Sequence, residues 1–580
     1  MAAEEQQPDI ETSKLFEALY EAYDRMPMPI ERYLLIVLLP AAVFFLLTVV
    51  VVLAIQLPLM IALPVPLLGG LAILTALVYP KLLLEQERKE LENRLHLLIT
   101  HMTVLSTTNI DRMEVFRKLA REEEYGALAT EMNRIVQLVD AWNQSLDDAC
   151  RRRAKEVPSK PLSDLLDRLA YTLGAGQELS DFLLSEQEVV IQNYATVYQG
   201  ALENLEVMKD LYLSMILSMT FGLVFAVVLP ILTGTDPTMT VAAVIVLFIF
   251  VQIGFTYAIK TVTPHDPVWY FPDDIKARAE SKLQKSVAAG SLLSLVVIMF
   301  TVGDLFGMNP ILITDVLPIE EVPMPIYAIL PITPLLIPGF VMRQAEQEVK
   351  GRDKEFPSFI RALGAAESAK QSTTSAVLKD LRKKDFGPLT PDINNLYKRL
   401  NMRIEPARAW RYFTADVQSN LIQKFSEMYL IGRQMGGDPK QLGELISSNM
   451  NEVLQLRERR DQGTITLIGL LYGISAASTF AFFIGLEVVH LLAGMSLDLS
   501  SSASSFDVGQ LIHTEQYNIP LVEFLLVLVI LFNALISSMM IRMVDGGHKV
   551  NAFIHFVGLA YVSAIIAVIT RTVVSTFLAI

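Results

Sequence analysis

The sequence predicts an all-α, polytopic membrane protein with about nine transmembrane helices and two homologous helical cytoplasmic domains. Of the 580 residues, 52% are hydrophobic and 19% are charged, so too little polar surface is available for a water-soluble fold. The apolar residues are concentrated in windows of about 20 with almost no charge, the length that a helix needs to cross a bilayer. Two long polar segments between these windows show helical periodicity.

Nine apolar windows are the predicted transmembrane helices. The fifth and sixth are the shortest, and the sixth contains Pro331, Pro334 and Pro338, which would kink or break a helix. The windows are Tyr33 to Ile55, Leu59 to Tyr79, Leu211 to Leu232, Met239 to Ile259, Ser286 to Val302, Pro325 to Met342, Thr464 to Leu492, Ile519 to Ile541 and Val550 to Leu578.

The distribution of basic residues predicts the orientation. Segments 56–58, 233–238, 303–324 and 493–518 contain no Lys or Arg, whereas the alternate segments do. Since basic segments stay in the cytoplasm, we expect a multi-pass protein of the cell (inner) membrane whose N-terminus and two large domains are cytoplasmic and whose C-terminus is external.

These windows divide the chain into eight regions. They are a cytoplasmic N-terminal segment (1–32), helices one and two (33–80), a first helical domain (81–210), helices three and four (211–259), a cytoplasmic loop (260–285), helices five and six (286–342), a second helical domain (343–463) and helices seven to nine (464–580).

Each helical domain contains an apolar stripe at helical spacing. In the first, Leu91, Leu95, Leu98, Met102 and Leu105 share one face. In the second, the corresponding set is Leu442, Leu445, Ile446, Met450, Val453 and Leu454. We interpret both stripes as packing faces of helix bundles.

The two domains resemble each other at an offset of 261 residues, without a gap. The tetrad that begins at Tyr125 matches the one that begins at Phe386, and Leu169 and Phe221 match Leu430 and Phe482. This register predicts a duplicated unit of a helical domain followed by a membrane helix. The glycines expected at its structural turns are Gly126 and Gly176 in the first copy and Gly387 and Gly437 in the second.

Charge distinguishes the two copies. Residues 81–210 have 16 basic and 23 acidic residues, a net charge of −7, whereas residues 343–461 have 21 and 16, a net charge of +5. Two interpretations of the basic copy stay open: a face near anionic lipid headgroups, or a docking surface for an acidic protein. A nucleic-acid site is disfavoured because no binding motif accompanies the charges. The cations concerned are Arg382, Lys383, Lys384, Arg399, Arg403, Arg408 and Arg411.

Sequence motifs for catalysis are missing. The chain has no Gly-x-x-x-x-Gly-Lys-Ser/Thr loop, no HExxH and no Gly-x-Ser-x-Gly. His96 and His101 are five residues apart, which does not place them on one helical face as a zinc pair requires. A single cysteine, Cys150, cannot form an internal disulfide. We expect no enzyme activity, cofactor or metal.

Ionisable residues within predicted spans need separate consideration, because a charge in hydrocarbon is costly. Glu487 and His490 are three residues apart in the seventh, and Arg571 lies in the ninth. Such groups can mark an ion or proton path. The simpler interpretation, which we favour, is that they lie near the outer ends of long helices, where their side chains reach interfacial water.

The turn sequences of the two domains carry a family resemblance. The heptapeptide that begins at Leu173 and the hexapeptide that begins at Gln434, in two helical domains that lead into membrane helices, resemble the platform proteins of type II secretion and type IV pilus machines. The stretch from His265 to Ile275 and the extra helix pair after the second domain are most similar to the archaeal branch, above all the platform of the archaellum, the archaeal swimming filament.

That resemblance implies a non-enzymatic platform. It would dock a separate cytoplasmic hexameric ATPase and couple its motion to assembly and rotation of a filament of archaellin or pilin-like subunits. Other motor components, membrane lipids and a second copy of the chain in a homodimer are the further partners that it implies. The seven cations are the ATPase-docking candidates. A pilus or secretion platform and, in a different class, a secondary transporter are the alternatives.

Overall fold

The computed structural model describes residues 23, 29–55, 64–108, 110–264, 266–272, 275, 278–305, 323–501 and 518–578. Within these ranges the chain is almost entirely helical, and extended pairing is limited to one isolated antiparallel bridge between Trp269 and Ser419. The all-α prediction is therefore confirmed.

We number the α-helices in chain order. They are α1 (Leu39–Ile55, preceded by helical turns from Ile30), α2 (Pro64–Ser106), α3 (Arg112–Arg121), α4 (Ala127–Asp140), α5 (Leu146–Glu156), α6 (Lys160–Gly174), α7 (Leu179–Val228), α8 (Pro230–Thr233), α9 (Pro237–Val262), α10 (Arg278–Leu305), α11 (Met324–Ile329), α12 (Leu336–Lys370), α13 (Thr374–Leu381), α14 (Thr390–Asn401), α15 (Pro406–Val417), α16 (Asn420–Gln434), α17 (Pro439–Ser501), α18 (Ile519–Asp545) and α19 (Ala552–Leu578).

Eight helices of the described residues are long and apolar enough to cross a membrane. They coincide with the first and the third to ninth predicted windows, so the expected count of about nine is close. Part of the second predicted window, residues 59–63, lies outside the described residues, and the rest belongs to α2.

The prolines of the sixth predicted span interrupt its helix. A 3-10 helix, Leu330–Leu335, separates α11 from α12, and Pro331 and Pro334 belong to it. Each proline removes a backbone donor from the helical ladder. Gly290 of α10 lies against this segment and the start of α12, since a Cβ atom there would lie 3.2 Å from the Pro334 carbonyl oxygen and 2.8 Å from Pro338.

The described chain forms two compact units, within residues 1–194 and 195–580. In the first unit, all five members of the apolar stripe that begins at Leu91 are buried, as predicted. They pack with residues of α4, α6 and α7 that include Leu128, Leu165 and Leu183, each 2% exposed or less. This cluster is the core of the first helical domain.

The second unit combines a membrane helix bundle with the second helical domain. Apolar residues of α7, α9, α17, α18 and α19 fill the bundle core. Polar side chains also join its helices: Gln252 donates to Asn533 (2.7 Å), and Asn533 donates to Ser475 (3.3 Å). Hydrogen bonds of this kind link helices where no water is present.

Helices α2–α7 and α12–α17 follow the same order: a long helix, four short helices and a second long helix. Gly126 (φ 56°) and Gly387 (φ 50°) occupy equivalent left-handed positions, 261 residues apart. At the later turn the left-handed glycines are Gly176 (φ 76°) and Gly436 (φ 87°). The Gly437 amide then donates to the Gly432 carbonyl, as the Gln177 amide does to the Thr172 carbonyl, so both turns close with the same helix cap and the offset there is 260.

The second helical domain is anchored where α12 crosses α17. A Cβ atom on Gly364 would lie 2.2 Å from the Pro439 carbonyl oxygen, and one on Gly443 would lie 2.8 Å from the Ile360 carbonyl oxygen. Only glycine permits this backbone contact. The two helices thus meet without intervening side chains.

Candidate functional site

Arg457 of α17 lies at the centre of a buried charged cluster. Its guanidinium donates two 2.6 Å hydrogen bonds to the Asp266 carboxylate and one of 2.9 Å to Asp353 of α12. The Asp353 side chain is 1% exposed and that of Arg457 is 11% exposed. Buried charges in such an arrangement depend on one another, because removing one leaves the rest without compensation.

Asp266 begins a short connecting segment, residues 266–271, between α9 and α10, which we call the strap. The strap pairs with the turn before α16: the Asn420 amide donates to the Val268 carbonyl (3.0 Å), and the Tyr270 amide donates to the Gln418 carbonyl (2.9 Å). Because Gln418 adopts φ 61°, the chain reverses there and presents this edge to the strap.

Ser419 connects the strap contacts to the ion cluster. Its hydroxyl donates to the Asp353 carboxylate and also accepts from the Ile422 amide (3.1 Å), so it caps α16. The cap, the strap and the Arg457 ion pairs therefore meet at the Asp353 carboxylate.

A second group of charges surrounds Lys350, one helical turn before Asp353 on α12. Its ammonium lies 3.1 Å from Asp461 of α17, 3.2 Å from Asp545 at the end of α18 and 3.9 Å from Glu346. Glu346 in turn accepts from the His548 amide (3.0 Å) and from the Trp269 indole (3.4 Å). The turn between α18 and α19 is thus joined to the same cluster.

Arg460 closes the α18 end of the site. It donates to the carbonyls of Val544 (2.5 Å) and Met543 (3.2 Å), which have no partners within their helix. Gly546 (φ 73°) follows, and a Cβ atom there would lie 2.7 Å from the guanidinium. The turn therefore needs glycine both for its conformation and for the close approach of Arg460.

We call the strap, Arg457, Asp353, the Lys350 cluster and Arg460 the junction. The cavity between them measures about 50 Å³, room for one or two water molecules. Among the described residues, no group of three His, Cys, Asp or Glu side chains could hold a metal ion. The chemistry of the junction is that of charge pairing between helices.

A further ion pair, next to the junction, connects helices within the second helical domain. Arg352 of α12 lies 3.1 Å from Asp392 of α14 and donates to the Val417 carbonyl at the end of α15 (3.3 Å). Burial raises the pKa of Asp392 to about 6. This carboxyl therefore titrates close to neutral pH.

The seven cations singled out in the sequence lie elsewhere, on α13–α15 and their connections. Arg382 stacks over Tyr397 (4.4 Å), whereas Arg399 stacks over Tyr412 (5.2 Å) and pairs with Asp416 (2.7 Å). Because residues 397 and 399 are two positions apart, their side chains diverge by about 160° around α14. The cations therefore form two groups. Arg382, Lys383 and Lys384 form one group, and Arg399, Arg403, Arg408 and Arg411 form the other.

Most members of both groups reach the surface. Lys383, Lys384, Arg403, Arg408 and Arg411 are exposed. Lys383 pairs with Asp380 (3.3 Å), and Arg403 adopts φ 61° at the end of α14. These side chains lie at the surface of the second domain.

The ionisable residues of the spans also meet. Arg571 lies 3.2 Å from Glu523 and 3.7 Å from Glu487, and His490 lies 3.9 Å from Glu487. The side chains of Arg571 and His490 are about half exposed, as expected for groups that reach interfacial water. Sequence reasoning did not include Glu523, whose contact depends on the packing of α18 against α19.

Known proteins and one family model resemble this chain. The family model described as "Type II secretion system (T2SS), protein F" matches residues 98–230. The chain is 33% identical over 562 residues to flagella accessory protein J of Methanocaldococcus jannaschii, covering 97% of this chain and 98% of the relative.

A second relative, flagella accessory protein J of Methanococcus voltae, is 33% identical over 523 residues, covering 90% of this chain and 91% of the relative. An uncharacterized protein of Methanocaldococcus jannaschii is 27% identical over 142 residues, 24% of each chain. No solved structure matches the chain.

Proposed function

Since the chain belongs to the flagella accessory protein J family, we propose that it is the membrane platform of an archaellum, which docks a cytoplasmic hexameric ATPase and couples its motion to filament assembly and rotation. The type II secretion F domain at residues 98–230 supports a platform of the secretion type. The names of the two flagella relatives favour an archaellum over a pilus or a secretion system.

The junction is the observation that carries this proposal. It joins the second helical domain to the ends of five membrane helices: α9 through the strap, α12, α17, and both α18 and α19 through the turn between them. A protein that converts movement of a soluble motor into movement of membrane helices needs such a connection. Ion pairs with fixed geometry resist displacement better than apolar contacts, which tolerate sliding.

The length of α17 supports the same conclusion. Its 63 residues run from the second domain into the seventh predicted span, a distance of about 95 Å at 1.5 Å per residue. A force on the domain would reach the bilayer along a single unbroken helix.

The ATPase would bind the exposed cations of α13–α15. Complementary charge accelerates and orients association, and the net charge of +5 over residues 343–461 favours an acidic partner. In this proposal both large domains and the N-terminus are cytoplasmic, the C-terminus is external, and the chain is a non-enzymatic homodimer that also contacts archaellin subunits.

A binding experiment tests the proposal. The full chain in lipid nanodiscs is incubated with the hexameric ATPase encoded in the same genome, and complex formation is measured by pull-down at moderate salt. We expect the triple variant Arg382→Glu, Lys383→Glu, Lys384→Glu to bind at least tenfold more weakly.

The matched control reverses three cations of α5 in the acidic first domain: Arg151→Glu, Arg152→Glu and Lys155→Glu, all exposed in the native chain. We expect this variant to bind normally. Equal binding by both variants and the wild type would reject the docking surface. Failure of the wild type to bind the ATPase at all would reject the platform function.

A further inference from the structure

A cavity of about 190 Å³ lies between the membrane helices at the end of the bundle next to the second helical domain. Four helices line it: α7, α9, α17 and α18. The lining residues are Leu202, Glu203, Leu205, Glu206, Lys209, Ile259, Arg459, Arg460, Gly463, Thr466, Leu467 and Val544. This cavity is distinct from the small space inside the junction, although Arg460 contributes to both.

The exposed side chains next to the cavity indicate its position along the membrane normal. Val207 and Leu211 on α7 are 57% and 50% exposed, and Ile465 on α17 is 69% exposed. Large apolar side chains so exposed on a membrane helix face lipid. On the same turns of α7, the side chains of Glu206 and Asp210 are 70% and 68% exposed. Apolar and charged surface therefore meet at the level of the cavity, as they do at the boundary between lipid headgroups and acyl chains.

The lining has an apolar part, which we call the floor, and a charged part, which we call the rim. Leu202, Leu205, Ile259, Leu467 and Val544 form the floor. The rim has three cations, Lys209, Arg459 and Arg460, against two carboxylates, Glu203 and Glu206. The net charge of the lining is thus +1.

The three cations differ in the hydrogen bonds and ion pairs that they form. Arg460 is bound to the α18 carbonyls, and Lys209 pairs with Glu206 (3.3 Å) and Asp210 (3.8 Å). Arg459 is exposed and forms no ion pair with any residue that the structure describes. Its guanidinium is the group most available to an incoming anion.

Gly463 leaves the cavity open on the α17 side. A Cβ atom built on Gly463 meets no atom within 4 Å, so the space beside this position is open. The absence of a side chain at this position keeps space next to the rim.

We propose that this cavity binds the phosphate headgroup of an anionic membrane lipid. Arg459 would pair with the phosphate in two-point geometry, Lys209 and the Thr466 hydroxyl would lie beside it, and the acyl chain would cover the apolar floor. Basic pockets between membrane helices are suited to anionic headgroups, with about 1 kcal/mol for each cation. A zwitterionic headgroup gains less here because the Glu206 carboxylate is already paired with Lys209.

Native mass spectrometry of the full chain, released from nanodiscs that contain equal amounts of phosphatidylglycerol and phosphatidylcholine, tests the proposal. We expect the wild type to retain one phosphatidylglycerol preferentially. The Arg459→Gln variant should bind it roughly fivefold more weakly. The Gly463→Leu variant should lose it through loss of space alone, without a change of charge.

Two controls isolate the cavity. Arg151→Gln removes an exposed cation of the first domain, and Gly463→Ala adds only a methyl group in open space; both should retain the lipid. Glu206→Gln releases Lys209 and should tighten binding. Equal retention by Arg459→Gln and the wild type, equal loss in Arg151→Gln and Arg459→Gln, or equal retention of the two lipids by the wild type would overturn the proposal.

Discussion

Arg457 donates to both carboxylate oxygens of Asp266, 191 positions away in the chain, with both nitrogen–oxygen distances at 2.6 Å. The contact ties the connection between two membrane helices to the helix that carries the second domain into the bilayer. It also shares its arginine with Asp353, so a single side chain holds three parts of the fold together.

Replacing Arg457 should open the junction. Arg457→Met leaves the buried carboxylates of Asp266 and Asp353 without their partner, at a cost of about 3–5 kcal/mol. We expect the amides of the strap and of residues 418–422 to exchange at least a hundredfold faster in hydrogen-exchange mass spectrometry. Asp140→Asn, which breaks the exposed Arg117–Asp140 pair, is the control and should leave the protection of these amides unchanged, because exposed ion pairs add little to stability. Protection unchanged in Arg457→Met would contradict the role of the ion cluster.

Substitutions in the junction and in the docking surface should affect ATPase binding and swimming differently. Asp266→Asn weakens the strap but leaves the cations of α13–α15 in place, so we expect normal ATPase binding with reduced swimming. The triple charge reversal at Arg382, Lys383 and Lys384 should abolish both. Swimming-plate diameters and pull-downs on the same strains distinguish the two patterns, and full motility in Asp266→Asn would show that the strap transmits no force.

A larger side chain at the crossing of α12 and α17 should destabilise the protein. Gly443→Ala would place a methyl carbon 2.8 Å from the Ile360 carbonyl oxygen, and we expect a loss of about 1–3 kcal/mol from forced separation of the helices. Gly469→Ala, on the same helix with no atom near the new methyl group, should be neutral or stabilising because alanine favours helix. Thermal unfolding of both variants in detergent is the measurement, and equal melting temperatures would contradict the close contact.

Asp392 should make the second domain more stable at mildly acidic pH. Its folded pKa of about 6 exceeds its ordinary value of 3.8 because burial disfavours the charge. The folded state therefore binds more protons than the unfolded state between these values, and stability falls as pH rises through them. From pH 7 to pH 5 we expect a gain of about 1 kcal/mol relative to Asp392→Asn, read from hydrogen exchange of α14. A pH-independent difference between the two proteins would refute this.

His101 should have the opposite effect in the first domain. Complete burial is the main cause that lowers the pKa of its imidazole to about 4, against an ordinary 6.5, and repulsion from Lys118 is the smaller one. The unfolded state binds the proton first as pH falls, so stability is lost between about pH 6.5 and pH 4. At pH 5 we expect a loss of about 2 kcal/mol relative to pH 7. Hydrogen exchange of α2 measures it, with His101→Gln, which does not titrate, as the control that should show no such loss.

Periodicity explains why much of the fold was predictable. The stripe that begins at Leu91 recurs at intervals of four and three residues, and each member is buried, since helical geometry alone determines which side chains share a face. Apolar length likewise identified the spans. Glycine suits these turns because it adopts left-handed backbone without strain, and at the later turn of the second domain the left-handed residue is Gly436, next to the predicted Gly437.

The junction was not predictable from the same signals. Asp266 lies in a connection without periodicity, and Arg457 lies in a charge-rich helix where neighbouring arginines look equivalent in the sequence. Their contact depends on how α9, α12 and α17 pack, which a local pattern does not encode. Likewise, charge counting identified the seven cations, but only the structure shows that Arg399 is paired with Asp416 and that Arg382 faces another side of α14.

The continuity of α17 has a geometric consequence for signalling across the bilayer. Arg457 and Glu487 lie on this one helix, 30 residues and about 45 Å apart. If α17 moves as a rigid rod, a tilt of about 5° at Arg457 displaces Glu487 by about 4 Å. That displacement is comparable to the 3.7 Å separation of Glu487 and Arg571, so we expect a small tilt of α17 to weaken this ion pair.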